Sequence, residues 1–334
     1  MRWPFPQNAV LGWGRRLAIL WLTLLVLAAS WSCFLPSQAL APDLLNSNEP
    51  PLTAGHWLGT DPNGQDVWTS LLYGGRTALL VSLPAAVLTT GLGTGIGLLA
   101  GYWGNKQLRF SLSYWVSIFC SIVSYALFTP QSNGITAAWW PFLLITLAVI
   151  AGKSLRHYSF FQHQVAVPLD RLVLAGISLL AALPRLLLVL AVASAFEPTL
   201  FSLVLLLTLT SWPQSARLVR AAVSRVQQLP YMEAAHSAGL SPWRIIRYHL
   251  LPNTWGPVLT TLPLSIAGLI SLETTLSFLG VGLPPETPSW GRLLALSRLA
   301  PSSWWLLLFP GLCLLATTLS LRQILPISTQ RNPA

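Results

Sequence analysis

Charge is what this 334-residue chain has least of: 8% of its residues are charged and 53% are hydrophobic, with a mean hydropathy of +0.60. A water-soluble domain carries roughly 25% charged residues, so a soluble fold is excluded. At about 20 apolar residues per crossing the length accommodates several membrane helices, and an all-α polytopic membrane protein is expected. Cysteine is nearly as scarce. Cys33, Cys120 and Cys313 lie far apart, within or beside apolar runs and without C-x-x-C or Cys/His spacing, which leaves no disulfide framework and no metal site to read. The short signatures G-x-x-x-x-G-K-[ST], H-E-x-x-H, G-x-S-x-G and G-x-G-x-x-G are all missing, so nothing supports nucleotide, zinc or nucleophile chemistry. No catalytic residue, cofactor or metal is expected, and a membrane-embedded enzyme has no convergent polar residues to stand on. The five histidines, His56, His157, His163, His236 and His249, are scattered and read as loop residues rather than ligands.

What is present is a series of apolar runs. They fall at Leu17–Leu35, Thr77–Trp103, Ser111–Thr129, Ala137–Gly152, Leu172–Phe196, Thr199–Ala216, Pro257–Leu272 extending towards Gly280, and Ser303–Leu321, which makes eight candidate spans. The net charge of +10 would suggest nucleic acid on a soluble protein, but here its placement matters more. With the N-terminus inside, fifteen Lys and Arg fall in cytoplasmic segments, and only Arg76, Arg292 and Arg298 fall outside. Cytoplasmic loops retain positive charge, so both termini are expected in the cytoplasm and the lipid bilayer, not nucleic acid, is the expected partner of the apolar surface. The first run exceeds the roughly 7–15 residues of a secretory signal core, so despite Ala39-Leu40-Ala41 it reads as a retained anchor.

The stretch between the first two runs is rich in Pro, Asn, Asp and Gly and reads as an irregular external loop. The second run carries Gly91, Gly93, Gly95, Gly97 and Gly101; such small-residue stripes serve close helix packing or line a pore. Two runs carry one charge each, Arg185 and Glu273. An ionisable group in lipid is costly and points to function. Glu273, beside Ser271, Thr274 and Thr275, suits contact with a permeating solute or with another helix or subunit. Arg185, following Pro184, suits pairing with Glu197 or a polar translocation path.

The most informative segment is cytoplasmic, from Leu229 to Pro252. Pro230 suits a first helical position and Gly239 the residue just past a helix end, which marks out a helix of about two turns. Ser241 then suits the cap of a second helix that begins at Pro242 and stops at Pro252. The small residues Ala234, Ala235 and Ala238 leave room for a partner surface, although an amphipathic helix resting on lipid headgroups fits the same pattern. The order Glu233-Ala234-Ala235, Gly239, then His249-Leu250-Leu251-Pro252-Asn253 resembles the EAA loop of ABC importer permeases of the dipeptide/oligopeptide/nickel class. Gly59-Thr60-Asp61-Pro62-Asn63-Gly64-Gln65-Asp66, Leu72-Tyr73-Gly74-Gly75-Arg76, Leu98-Leu99-Ala100-Gly101-Tyr102-Trp103-Gly104, Leu276-Ser277-Phe278-Leu279-Gly280 and Pro288-Ser289-Trp290-Gly291 are similar to the second, C-type integral subunit of that class.

The resemblance implies a type I permease-like helix bundle that hydrolyses no ATP itself. Glu233, Ala234, Ala235 and Gly239 would then belong to the element that couples it to two cytoplasmic ABC ATPase subunits. A homologous permease subunit and an external solute-binding protein would complete an importer of peptides or a related small solute in the plasma (inner) membrane. Arg185 and Glu273 would be pathway or subunit contacts. The sequence departs from the pattern at Gln65 and Ser70, where Arg is usual, and it lacks Gly-Asp before Leu321-Arg322. It also inserts residues 105–167 where the family passes almost directly from Gly104 to Asp170-Arg171. Two apolar runs in the insert predict an added transmembrane hairpin, hence eight spans instead of six. The expected organisation is 1–76 anchor and external loop, 77–104 first core helix, 105–167 insert, 168–322 permease core containing the coupling loop 229–253, and 323–334 cytoplasmic tail. An ion-coupled secondary transporter is the alternative from a different class.

Overall fold

The computed structural model describes residues 12–32, 34–35, 41, 43–53, 55–105, 109–111, 150, 164–194, 199–284 and 286–324. The chain divides into two units, Met1–Leu98 with Ser178–Ala334, and Leu99–Ile177. Its elements are α1 (Trp13–Trp31), α2 (Val67–Trp103), the short strands β1 (Arg109–Ser111) and β2 (Gln164–Ala166), α3 (Leu169–Ala182), α4 (Arg185–Ala193), α5 (Leu200–Gln227), α6 (Pro230–Ser237), α7 (Pro242–Ile245), α8 (Leu251–Phe278), α9 (Trp290–Leu296) and α10 (Trp305–Gln323).

In the larger unit, Leu17, Leu20, Leu24 and Leu27 of α1 are exposed while Ala18, Leu25 and Ala29 are buried, a spacing that gives the helix one lipid face and one protein face. The protein face meets α10, where Trp21 Nε1 donates to Thr317 Oγ1 at 3.0 Å. Gly14 at the start of α1 lies against Gln323 at the end of α10, so the first turn of α1 and the last turn of α10 lie on one side. Of the glycine stripe on α2, Gly93 and Gly97 are the pair used for packing. A Cβ on Gly93 would lie 2.8 Å from the Trp212 carbonyl oxygen, and one on Gly97 2.6 Å from that of Ala216, whereas Gly91 and Gly95 meet nothing. Close backbone approach of α2 and α5 therefore requires that one small-xxx-small pair. Some hydroxyls within the helices satisfy themselves on carbonyls one turn back, as Thr208 does on Val204 (2.8 Å) and Thr275 on Ser271 (2.7 Å), which removes the penalty for a lone polar group in hydrocarbon; those of Ser82, Thr89, Thr90 and Thr94 on α2 are buried without a partner.

The segment between α1 and α2, expected as an irregular external loop, is ordered by specific bonds. Asp66 accepts the Thr69 N–H (2.9 Å) and hydroxyl (2.8 Å) and meets His56 Nδ1 at 3.0 Å. It thereby caps α2, which starts at Val67, ten residues before the apolar run that marks it in the sequence, and places Arg76 inside the helix. The indoles of Trp305 and Trp290 donate to the carbonyls of Thr60 and Leu71, each at 3.0 Å, and Thr77 donates to Pro288 at 2.9 Å. Gly291 has no room for a side chain, since a Cβ would lie 2.2 Å from the Thr274 carbonyl oxygen.

The smaller unit holds the ends of the insert. β1 and β2 pair antiparallel, Arg109 opposite Ala166; Asp170 N–H donates to the Gly104 carbonyl (3.2 Å) and Arg171 N–H to Asn105 Oδ1 (3.0 Å). Residues 104–105 and 170–171 thus meet, so the chain leaves and returns at one place around the stretch expected to be an insert. Its apolar runs, and with them the expected hairpin, lie outside the described residues.

Among the described residues four helices are long and apolar enough to cross a membrane, Trp13–Trp31, Val67–Trp103, Pro242–Phe278 and Trp305–Gln323, and a fifth span is formed if the bent pair α3–α4 counts as one. The expected Leu172–Phe196 span is broken there by 84°, because Pro184 supplies no N–H to continue the α3 hydrogen-bond ladder. The expected helix stop at Pro252 does not occur either. Ile246–Leu250 winds as a π-helix, and Pro252 sits in the first turn of α8, where a missing N–H costs nothing.

Candidate functional site

Two features of the larger unit gather the residues singled out in the sequence: the α6–α7 loop and a cleft at the α3–α4 break. Helix α6 runs from Pro230 at its first position to Ser237. It ends in a Schellman motif, with Leu240 N–H donating to the Ala235 carbonyl (3.3 Å) and Gly239 N–H to that of His236 (3.0 Å). Gly239 takes a φ of +69° there, a conformation that costs other residues about 1–2 kcal/mol. Glu233 lies in the first turn, where the helix dipole favours an acid.

The loop has an inner and an outer face. Met232, Ala235, Ile245, Ile246 and Leu250 are buried, while Glu233, Ala234, Ala238 and Gly239 are exposed. Trp243 and Tyr248 are exposed at 70% and 64%. The structure therefore separates the alanines: Ala234 and Ala238 leave the outer surface low, and Ala235 seats the helix on the protein. Ser241 occupies the cap position of α7 without a side-chain bond; its carbonyl accepts from Arg244 (2.9 Å) and Ile245 (3.1 Å). His236 Nδ1 is held on the Met232 carbonyl at 2.7 Å. The far end of the motif closes back on α6, because Asn253 Nδ2 reaches Tyr231 Oη at 3.4 Å and the His249 carbonyl at 2.5 Å.

A two-residue turn joins α5 to α6, and Pro242–Phe278 is one continuous helix of 37 residues through α7, the π turn and α8. Those same helices wall a cleft of about 750 Å³, together with the end of α3 and the start of α4. Its lining includes Leu180, Leu183, Pro184 and Arg185 at the break, Thr210, Ser211, Gln214, Ser215 and Arg217 on α5, and Thr261 and Ser265 on α8; among the described residues no Asp or Glu contributes. The Arg185 guanidinium donates to Ser211 Oγ. Glu197, one expected partner of Arg185, lies outside the described residues.

Glu273 does not line this cleft. It is 0% exposed within α8, and its carboxylate accepts from Ser277 Oγ (2.9 Å) and Thr274 Oγ1 (3.3 Å). Sequence reasoning missed the polar face of α5. Thr210, Ser211, Gln214 and Ser215 recur at helical spacing inside a run read as apolar, and that spacing was the available signal. Among the described residues no group of three or more His, Cys, Asp or Glu is placed to hold a metal.

Residues 165–332 match the family described as binding-protein-dependent transport system inner membrane component. A putative peptide transport system permease protein of Brucella suis biovar 1 (strain 1330) is 30% identical over 92% of this chain and 83% of its own length. The dipeptide transport system permease protein DppC of Bacillus subtilis (strain 168) is 28% identical over 87% of this chain and 72% of its own. The oligopeptide transport system permease protein OppC of the same organism is 24% identical over 89% and 78%. Nothing in these matches supports an ion-coupled secondary transporter.

Proposed function

This chain belongs to the family of binding-protein-dependent transport system inner membrane components, and from that premise we propose that it moves peptides or a related small solute through an ATP-driven importer. It is a multi-pass membrane permease subunit and not itself an enzyme. In the proposed assembly two separate cytoplasmic ATPase subunits supply the force, a homologous permease subunit completes the pathway, and an external binding protein delivers the solute. One observation carries the reading: the exposed α6–α7 loop runs into α5 and α8, the helices that wall the cleft. A groove on an ATPase that grips the outer face at Glu233, Ala234 and Gly239 pushes on α6, and Ala235 and Met232 pass the push to the bundle. Two packings of the bundle, inward-open and outward-open, are then biased by the state of the ATPase pair.

In this reading the loop and both termini are cytoplasmic, supported by the positive-inside distribution and by the adjacent ends of α1 and α10. Residues 105–167 add a transmembrane hairpin in this reading, and a cysteine at position 132 should react with an impermeant thiol reagent from outside; protection there contradicts the hairpin. The central test is Glu233→Lys in the importer reconstituted with its ATPase. Uptake should fall at least tenfold and the ATPase should no longer co-purify. Normal uptake with the ATPase bound removes the coupling role, and uptake by the purified chain without any ATPase removes the importer reading.

A further inference from the structure

We propose, resting on the importer reading, that the cleft at the α3–α4 break is the station that holds the carboxylate of the passing solute, with the Arg185 guanidinium as its counter-charge. Depth is the first argument. Arg185 is bonded to Ser211, eleven residues into α5. At about 1.5 Å per residue this is about 16 Å from the start of the helix, so the guanidinium is held about three turns along α5 and not at its end. A cation at that level faces a protein cavity and has a partner when it is functional. Arg185 does face a cavity, but its bonded side chain is a neutral hydroxyl, and among the described residues no carboxylate lines the cleft.

Charge balance is the second argument. Arg217 on the same wall adds another cation, so the described lining of the cleft is basic and holds no acid. The nine-residue α4 also begins on this wall, at Pro184–Arg185, with no side chain capping its N-terminus. Free amides and the positive dipole end at such a terminus favour an anion. Around these charges Ser211, Gln214, Thr261 and Ser265 offer neutral hydrogen-bonding groups, suited to the amides of a short peptide. A volume of about 750 Å³ falls within the roughly 300–1,000 Å³ of small-molecule sites. Guanidinium and carboxylate pair in a bidentate fork. A solute with a free carboxylate is therefore retained while the site is closed, and release follows movement of α5 and α8, which continue into the coupling loop.

The test uses the complete importer in vesicles of phosphatidylcholine, alone or mixed with phosphatidylglycerol. ATP-dependent uptake is measured for a tripeptide with a free C-terminal carboxylate and for its C-terminal amide. Arg185→Gln is expected to lower uptake of the free acid at least tenfold and of the amide less than twofold, while Arg185→Lys keeps most of the preference. Equal falls for the two peptides, or no fall, overturn the proposal. A fall seen only with phosphatidylglycerol present also overturns it, because the anion held is then a lipid headgroup. If Arg185→Gln does not accumulate in the membrane, Arg217→Gln runs the same comparison, with a narrowed preference supporting the site and an equal fall overturning it. Absence of ATP-dependent uptake of either peptide by the unaltered importer defeats the importer reading itself, a result distinct from a lost preference.

Discussion

The α1–α2 segment and the α6–α7 loop are built on opposite principles. Around the α1–α2 segment, stretches far apart in sequence lock together: Trp290 is buried and bonded to Leu71, Trp305 to Thr60, and Gly59, Gly74 and Gly291 lie where backbone or ring atoms leave no room for a Cβ. At the α6–α7 loop only one face of the helix pair is buried, and the other presents Glu233, Ala234, Trp243 and Tyr248 to whatever lies beyond. Both regions carry motifs that resemble the same family, yet the α1–α2 set is consumed by the fold and the α6–α7 set is left over after folding. A side chain with no internal task is free to serve a partner, whereas one bonded across more than two hundred residues of sequence holds the subunit together.

This contrast is broken most directly at Trp290. Removing a buried indole leaves a large cavity and costs about 3–5 kcal/mol, so Trp290→Ala should lower the thermal-unfolding midpoint of the detergent-purified protein by more than any coupling-loop change and reduce its level in the membrane. A midpoint equal to that of the unaltered protein would sink the claim that the α1–α2 segment is locked. Glu233→Lys should do the reverse. An exposed substitution away from caps and cores usually stays within about 0.5 kcal/mol, so its midpoint should not move while ATPase co-purification is lost. A large drop in midpoint would mean that Glu233 serves the fold after all.

How much of this was legible in the sequence depends on whether local chemistry or tertiary packing decided each feature. The limits of α6 follow from Pro230 and Gly239, whose backbone preferences act within one turn, and the structure places the helix where they predict it. The same rule misled at Pro252. There a π turn and a first-turn position let the helix pass through, and no residue within Leu251–Asn253 announces it. The start of α2 was readable in principle, because Asp66 with Thr69 three residues on is a capping pattern, but the apolar run begins only at Thr77. The cleft was the hardest to see. Arg185 was marked by its charge, while its neighbours on α5 and α8 are joined to it only by folding, and single hydroxyls in apolar runs look like helix-internal bonding. The lock around Trp290 has no sequence period at all, since Trp290 and Leu71 are brought together by topology.

Asp61 offers the finest probe of the locked segment. Its carboxylate is buried at 1% exposure; Oδ1 accepts the N–H groups of Asn63 and Gln65, each at 2.8 Å, and Oδ2 has no hydrogen-bond partner. Burial raises its pKa above the ordinary 3.8; the Gln65 and Asn63 amides and the charge of Arg292 pull it back without cancelling the rise. The unfolded chain therefore gives up this proton at lower pH than the folded one. The stability linked to Asp61 is fully present below its ordinary value and is lost as pH rises through the folded value. Asp61→Asn keeps an oxygen for the two amides and removes the buried charge. Unfolding midpoints measured from about pH 4 to pH 7 should show the variant gaining on the unaltered protein as pH rises, by about 1 kcal/mol, the scale of one buried polar group. Taking the difference between the two proteins cancels the other groups of the loop, His56 and Asp66 included. A constant difference across the range would mean that Asp61 is ionised without penalty, and the α1–α2 segment would then be more open to water than its burial implies.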